Sequence, residues 1–350
     1  MGVDAGQKSG EFQEGMPPAA DAGLFGLDIQ EKDAALVLIP VPWDATTSYG
    51  RGTAGGPQGI VKASHQLDLE DLSYGSPWTS GILMDAQMDW MPALNEETTR
   101  LVEEVREASE SHGDTQALLN QVNLNSEKVD SSVEARATEL YDQGKIVGVV
   151  GGDHSSPLGM IRAAAKKFGS FGILHFDAHF DLRDAYEGFK GSHASIMHNV
   201  LDQCPEVTKL VQVGIRDFCE AERKATERQA DRIKVFYDQH LFKHKALGHS
   251  FDAWVQKVIA ELPEKVWISF DIDGLSAAYG PSTGTPVPGG LSYAEAQYLI
   301  EQLAFSGRTI VGFDLCEVSP DVHGSEWDLN VGARVLYKLC GACLHTQKSG

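Results

Sequence analysis

Gly172-Ile-Leu-His-Phe176 runs without a break into Asp177-Ala-His179-Phe-Asp181, and this junction decides the fold. A short apolar run with no polar alternation is the pattern of a strand buried on both faces, as in a parallel sheet. Open parallel sheets bind ligands beyond the carboxyl ends of their strands. Here the apolar run stops where side chains able to hold a metal begin. Residues two apart share a side of extended chain, so Asp177, His179 and Asp181 face one way for as long as the chain stays extended.

The pattern recurs. Val266–Phe270 leads into Asp271-Ile-Asp273-Gly274, and Ile146–Val150 leads into Gly151-Gly-Asp-His154-Ser. Further apolar runs lie at Ala35–Pro40, Lys209–Val213, Lys234–Tyr237 and Thr309–Phe313. Between the runs, helical spacing marks Pro157–Phe168, Ala194–Leu201, Phe218–Ala230, Ser250–Leu262, Tyr293–Phe305 and Val331–Leu339. Strands alternating with helices predict a three-layer α/β/α fold around a mainly parallel central sheet. Asn95–Gly144 reads as helical and polar, with loops near Ser111–Asp114 and Asn120–Ser126. Residues 1–30, rich in Gly, Ala and acidic residues, read as a loosely ordered arm, and 31–350 as a single domain.

Composition narrows the function classes. With 42% hydrophobic residues among 350, the chain can bury a substantial core. A formal net charge of −21 argues against nucleic acid, whose binding draws on clustered Lys and Arg. An acidic surface suits a cationic substrate, although solubility alone explains it equally well. No charged and apolar leader pattern is present, no Ser or Thr completes a myristoylation motif after Gly2, and no apolar run approaches the roughly 20 residues of a membrane span. The expectation is a cytoplasmic chain without membrane contact. Five cysteines, an odd and scattered set, do not read as a disulfide framework. Cys340-Gly-Ala-Cys343 closes an apparent helix instead of opening one, which weakens a redox reading.

Taken singly, an Asp-x-Asp or Asp-x-His at a strand end is more often a helix cap or a solvated turn than a ligand. Three such clusters at three strand ends are hard to arrange by chance. Together they present His154, Asp177, His179, Asp181, Asp271 and Asp273. Carboxylate and imidazole without thiolate suit Mn²⁺, Ni²⁺, Co²⁺ or Fe²⁺ and fit structural zinc poorly. Four carboxylates also balance two divalent cations. His175, inside the strand, reads as a hydrogen-bonded core residue.

These segments resemble the signatures of the ureohydrolase (arginase/agmatinase) family. The motifs are Gly-Gly-Asp-His154-Ser, Asp177-Ala-His179-Phe-Asp181 and Ser-Phe-Asp271-Ile-Asp273-Gly. Ser48-Tyr-Gly-Arg-Gly-Thr-Ala-Gly-Gly-Pro57, Gly284-Thr-Pro-Val-Pro-Gly-Gly290 and Gly312-Phe-Asp-Leu-Cys-Glu317-Val-Ser-Pro320 match its other motifs, in order, from about Pro40 to Gly341. The resemblance implies an arginase/deacetylase-like fold for 31–350 and a hydrolase with two divalent cations, Mn²⁺ or Ni²⁺, that activate water to attack a guanidinium carbon and release urea. It implies that Asp177 and Asp271 bridge the cations. His154 and Asp181 then complete one site, with Asp181 also placed in the catalytic set, and His179 and Asp273 complete the other. Glu317 would pair with the guanidinium, a planar fork suited to a carboxylate. His193, in Gly-Ser-His193-Ala-Ser, would take the proton-shuttle position. A homo-oligomer, trimer or hexamer, is also implied, with a hetero-oligomer as the variant.

Substrate choice rests on departures from the family pattern. Leu182-Arg183-Asp184-Ala-Tyr186 stands where arginases carry an Asn-bearing segment for the amino-acid end, so arginine is disfavoured. Arg183 could bind a substrate carboxylate, as the similar run of formiminoglutamases suggests, or pair with Asp184 or Glu187. Tyr-Glu-Gly-Phe and Ser-His-Ala-Ser-Ile-Met-His-Asn resemble an agmatinase-like branch that includes nickel-dependent guanidine hydrolases. That branch implies a small closed pocket walled by Tyr186, Phe189 and Trp327, for guanidine, an alkylguanidine or a biguanide. Agmatine and guanidino acids are the alternatives. A deacetylase of the same fold needs one metal and would not explain His154, Asp181 and Asp273. A non-catalytic partner subunit would be expected to have lost ligands, and this chain keeps all six.

Overall fold

The computed structural model describes residues 16, 18, 19 and 21–348. In chain order its strands are β1 (Leu36–Val41), β2 (Ile82–Met84), β3 (Ile146–Gly151), β4 (Phe171–Phe176), β5 (Val207–Val213), β6 (Ile233–Phe236), β7 (Lys265–Asp271) and β8 (Thr309–Cys316). They form one sheet in the order β2-β1-β3-β8-β7-β4-β5-β6, parallel throughout. The helices are α1 (Gly56–Ser64), α2 (Met91–Glu110), α3 (Gln116–Asp142), α4 (Leu158–Phe168), α5 (Ile196–Gln203), α6 (Glu220–Arg228), α7 (Asp238–Ala246), α8 (Phe251–Ala260), α9 (Tyr293–Phe305) and α10 (Trp327–Lys348).

Both faces of the sheet are covered, which is why its strands are apolar without alternation. Leu36 and Leu38 of β1 point into one core with side chains of α1, α8, α9 and α10. Val37 and Ile39 point into the other, with side chains of α3, α4 and α5. The expected three layers are present. At each fully buried strand residue the backbone satisfies its polar groups in the ladder, so a mostly apolar run costs the strand no backbone hydrogen bond.

Several expectations need correction. The segment 120–126 is no loop but lies within α3; its asparagines act as cross-braces instead of helix breakers. Asn125 donates to Thr98 of α2 at 2.8 Å, and Asn123 accepts from Lys190 N at 2.7 Å. The break between α2 and α3 does fall at 111–115. β2, only three residues long, α1 and α7 are additional to the expected strands and helices. Of the expected arm, residues 1–15 lie outside the described residues. Leu24, Phe25 and Leu27 are packed into the core, so the chain is already part of the body there.

Four adjacent central strands, β3, β8, β7 and β4, point their carboxyl ends the same way. All the candidate ligands follow these strands. Close backbone approach at this end explains two glycines: a Cβ on Gly152 would lie 2.1 Å from Trp43 O, and one on Gly274 2.7 Å from Asp177 N. Among the described residues, no helix is long and apolar enough to cross a membrane.

Candidate metal centre

The turn after β3 carries His154, the turn after β4 carries Asp177, His179 and Asp181, and the end of β7 carries Asp271 and Asp273. The structure brings all six together. His154 Nδ1 lies 3.1 Å from Asp177 Oδ2, 3.2 Å from Asp181 Oδ2 and 3.3 Å from Asp271 Oδ2. A few ångströms away, His179 Nδ1 lies 3.1 Å from Asp273 Oδ2 and 3.4 Å from Asp177 Oδ1. Ligand atoms each about 2.1 Å from one cation, at right angles, stand about 3 Å apart. Both clusters have that spacing. Asp177 turns one oxygen to each cluster. Asp271 turns Oδ2 to the first, while its Oδ1 accepts from Asp273 N at 2.7 Å.

Electrostatics favour cations here. Asp177, Asp181, Asp271 and Asp273 are at most 5% exposed, and among the described residues no Lys or Arg pairs with any of them. Burial first, then repulsion from Asp273 and Asp177, pushes Asp271 well above the carboxylate range. Burial and the Asp177 charge push Asp181 up to about 6. Burial works against charge on the imidazoles, but their carboxylate neighbours prevail. His154 is held well above its ordinary value, and His179 is pulled up to about 12 by Asp273 and Asp177. In this arrangement protons on imidazole stand where cations would relieve the same repulsion. The donor set and spacing fit two divalent cations.

A polar network beneath His154 fixes which nitrogen is free. Ser269 Oγ donates to Asp314 Oδ1 at 3.0 Å, and Trp267 Nε1 donates to Asp314 Oδ2 at 2.6 Å. With its proton committed to Asp314, Ser269 Oγ accepts from His154 Nε2 at 2.9 Å. Neutral His154 then carries its proton on Nε2 and leaves Nδ1 bare toward the carboxylates, as a ligand requires. Gln212 of β5 donates to Nδ1 of His175 on β4 at 2.9 Å, and His175 Nε2 stands 2.9 Å behind Asp177 Oδ2. His175 is therefore a backing residue of Asp177, inside the core.

Two site residues sit in the left-handed region that side chains rarely adopt, Asp181 at φ 54° and Glu317 at φ 63°. Met197 N and His198 N hold the Asp181 carbonyl, and Glu317 N donates to Gly152 O at 2.7 Å. The strain turns each carboxylate inward. Glu317 Oε1 accepts from His154 N at 3.0 Å, whereas buried Oε2 has no hydrogen-bond partner among the described residues. His193 opens the 3₁₀ turn His193–Ser195, capped by Ser192, that leads into α5, and its Nδ1 lies 3.6 Å from Glu317 Oε1. Burial opposes its charge, but Glu317, then Asp153 and Asp181, raise its pKa.

A pocket of about 510 Å³ opens over this centre and is lined by His179, Asp181, His193, Arg183 and Tyr186. Arg183 is already engaged. Its Nε lies 3.6 Å from buried Glu222, and its guanidinium stacks 4.5 Å above the Tyr186 ring. The pairing expected with Asp184 or Glu187 is not made; Glu187 binds Arg106 instead, at 2.8 Å. Two proposed wall residues lie elsewhere. Phe189 is fully buried against Val102, Val105 and Val122, and Trp327 caps the 276–283 loop by donating to Ala278 O at 2.9 Å. Of the three walls that the family resemblance implies, Tyr186 alone lines the pocket.

Sequence reasoning missed the supporting residues Ser269, Asp314, Gln212 and Arg216. The Arg216 guanidinium donates to the carbonyls of Gly214, Asp273, Leu275 and Val287, the contact with Asp273 being 2.7 Å, and so ties the 284–290 loop to the turn that carries the candidate ligand Asp273. A signal existed for two of them: Ser269 and Asp314 are polar residues within apolar strands, and they stand in register on β7 and β8. The CxxC pair, Cys340 and Cys343, is buried in α10 as free thiols.

A family model for the arginase family matches residues 34–341. The chain is 31% identical over 300 residues to an N(1)-aminopropylagmatine ureohydrolase of Thermus thermophilus, a match covering 85% of this chain and 87% of the relative. The agmatine ureohydrolase structure of Thermoplasma volcanium superposes with a TM-score of 0.71 at 25% identity, covering 95% of this chain and 96% of the other. The proclavaminate amidino hydrolase structure of Streptomyces clavuligerus shares the fold, with a TM-score of 0.73 at 20% identity and coverage of 95% and 99%.

Proposed function

Since this chain belongs to the arginase family and is a ureohydrolase, we propose that it hydrolyses a small guanidino compound with one water to urea and the displaced nitrogen group: ammonia from guanidine, an amine from a short alkylguanidine, or guanidine from a biguanide. The observation that carries this reading is the Glu317 carboxylate, buried and with Oε2 unpartnered, beside a centre built for two cations. A guanidinium offers paired N–H donors to such an oxygen, and a buried carboxylate without a partner is costly until one arrives.

We assign His154, Asp177, Asp181, Asp271, His179 and Asp273 to hold two divalent cations, Mn²⁺ or Ni²⁺. When bound, such cations lower the pKa of water and so supply a nucleophile at neutral pH. The chain's own residues do the rest. Glu317 orients the guanidinium so that its carbon faces the centre. His193, beside Glu317 and within the pocket lining, carries a proton between the site and the pocket for the departing amine. Arg183, occupied by Glu222 and Tyr186, forms the pocket wall in place of a carboxylate clamp, which disfavours guanidino acids. Agmatine remains the competing substrate. Asp217, exposed on the pocket rim beside His179, could attract its distal ammonium, and the Thermus relative is named for a longer agmatine derivative.

Urea release from the purified chain, loaded separately with Mn²⁺ or Ni²⁺, tests the reading. Guanidine, methylguanidine, a biguanide, agmatine, guanidinobutyrate and arginine form the panel. The highest kcat/KM is expected for guanidine or a short alkyl derivative. Preference for agmatine would replace the substrate assignment, and preference for an acid dependent on Arg183 would overturn the role given to that residue. No turnover of any compound with two cations bound per chain would refute the proposal.

A further inference from the structure

Ser48 stands at the pocket edge on the loop after β1, with its hydroxyl 3.1 Å from His193 Nε2. On the other side of the ring, Nδ1 faces Glu317 Oε1 at 3.6 Å. The imidazole has little access to solvent, at 8% exposure, so these two groups decide how it is held. The loop carrying Ser48 is pinned from several directions. Gly50 N donates to Gly284 O at 3.1 Å, and Thr47 O accepts from Arg106 at 3.0 Å. Buried Asp44 accepts from Gly52 N at 3.0 Å, Asn95 Nδ2 at 2.9 Å and Arg51 at 3.1 Å. Ser48 is therefore presented on a rigid support.

A hydroxyl both donates and accepts. When His193 is neutral with its proton on Nδ1 toward Glu317, Nε2 offers a lone pair and the Ser48 O–H donates to it. When His193 is protonated, Nε2–H donates and the Ser48 oxygen accepts. The ring can thus keep one position in both charge states, which a residue that gains and loses a proton in each cycle requires. The titratable groups that face it, Glu317 after β8, Asp153 after β3 and Asp181 after β4, are all acidic and stabilise only the charged state. Ser48 is the partner that serves both.

We propose that Ser48 is a positioning residue for His193, holding the imidazole against Glu317 through both protonation states. The proposal rests on the proton-carrying role given to His193 above.

The test compares S48A and S48T in the full chain, with Mn²⁺ bound and guanidine as substrate, and follows the His193 ring nitrogens by NMR titration of the metal-free protein. S48A is expected to lower kcat about tenfold with KM within about threefold, a modest share of a general acid's contribution. It should also move the His193 titration down by about one pH unit, because the hydrogen bond to the charged ring is the stronger one. S48T, which keeps the hydroxyl, should restore both. Unchanged kcat in S48A, or a fall in kcat with the titration in place and no rescue by threonine, overturns the proposal. If the wild-type chain releases no urea from any guanidino compound, the functional reading fails while the NMR titration still decides the Ser48 contact. Should S48A not fold, S48C, a weak donor and acceptor, carries the same expectations in milder form.

Discussion

Glu317→Gln changes one atom and removes one charge, and its effect can be worked from the contacts around it. Oε1 accepts from His154 N at 3.0 Å, and Oε2 is buried without a partner. A glutamine must keep its amide oxygen toward the His154 N–H, because the NH₂ group would set donor against donor there. The NH₂ group is then forced into the Oε2 position and meets the N–H groups of the guanidinium. The variant loses a charge-assisted contact and gains a repulsive one. Removing one partner of a buried hydrogen-bonded ion pair costs about 2–5 kcal/mol. At about 1.4 kcal/mol per decade, kcat/KM should fall by between roughly 30-fold and roughly 4,000-fold. The fold should persist, since the hydrogen bond to His154 N survives and a buried charge is relieved. The assay is urea release over a range of guanidine concentrations, with metal content per chain and melting temperature as controls. A kcat/KM within threefold of wild type, two cations still bound, would refute the assignment of Glu317 to the guanidinium. Loss of the cations would instead place Glu317 in support of His154.

Three further outcomes are expected. In the metal-free chain the neighbouring carboxylates, against the effect of burial, hold His154 well above its ordinary value and pull His179 up to about 12, so cations compete with protons for these imidazoles. Affinity should therefore rise as pH rises, about tenfold per unit for each proton released, and a calorimetric titration between pH 6.5 and 7.5 that shows no such change would contradict this protonation. Arg216→Met strands the carbonyls of Asp273, Leu275 and Val287; metal analysis after dialysis should show a selective loss toward one cation per chain, and full retention of two would show that the clamp is dispensable. Asp130, 7% exposed and pushed up to about 8 chiefly by burial, has a folded pKa above its unfolded one. Its stability penalty is absent below about pH 4 and grows as pH rises toward 8, so Asp130→Asn should stabilise the chain by up to about 4 kcal/mol at pH 7. For a chain of this size that is a rise of roughly 5 °C in melting temperature. An equal or lower melting temperature across pH 5.5–8 would count against it.

What could be read in advance divides along a physical line. The central strands and the cluster of candidate ligands at their ends were legible because one constraint acts on both. A strand covered on two faces is mostly apolar along its length, so the charged clusters that hold Asp177, Asp271 and His154 stand out as the point where the sheet ends and a crevice begins. Position along the chain determines that contrast. The residues that make the ligands usable are selected instead by distant partners. Ser269 acquires its meaning from Asp314, 45 residues away, and Glu317 is aimed by a left-handed backbone that no residue preference announces. Asn123 and Asn125 mislead for the same reason: their local tendency toward turns is real, but contacts with Lys190 and Thr98 outweigh it inside α3. Trp327 misleads in the opposite sense, since a large aromatic beside a motif invites a pocket role while its indole is spent on Ala278 O. Ligand identity is therefore a property of strand ends, while ligand state (which nitrogen is bare, which oxygen is free, which charge is unpaired) is a property of the packed neighbourhood. The chemistry of this centre depends on the second as much as the first, and for that reason the substitutions at Glu317, Ser48 and Arg216 discriminate among mechanisms in a way that deleting a metal ligand would not.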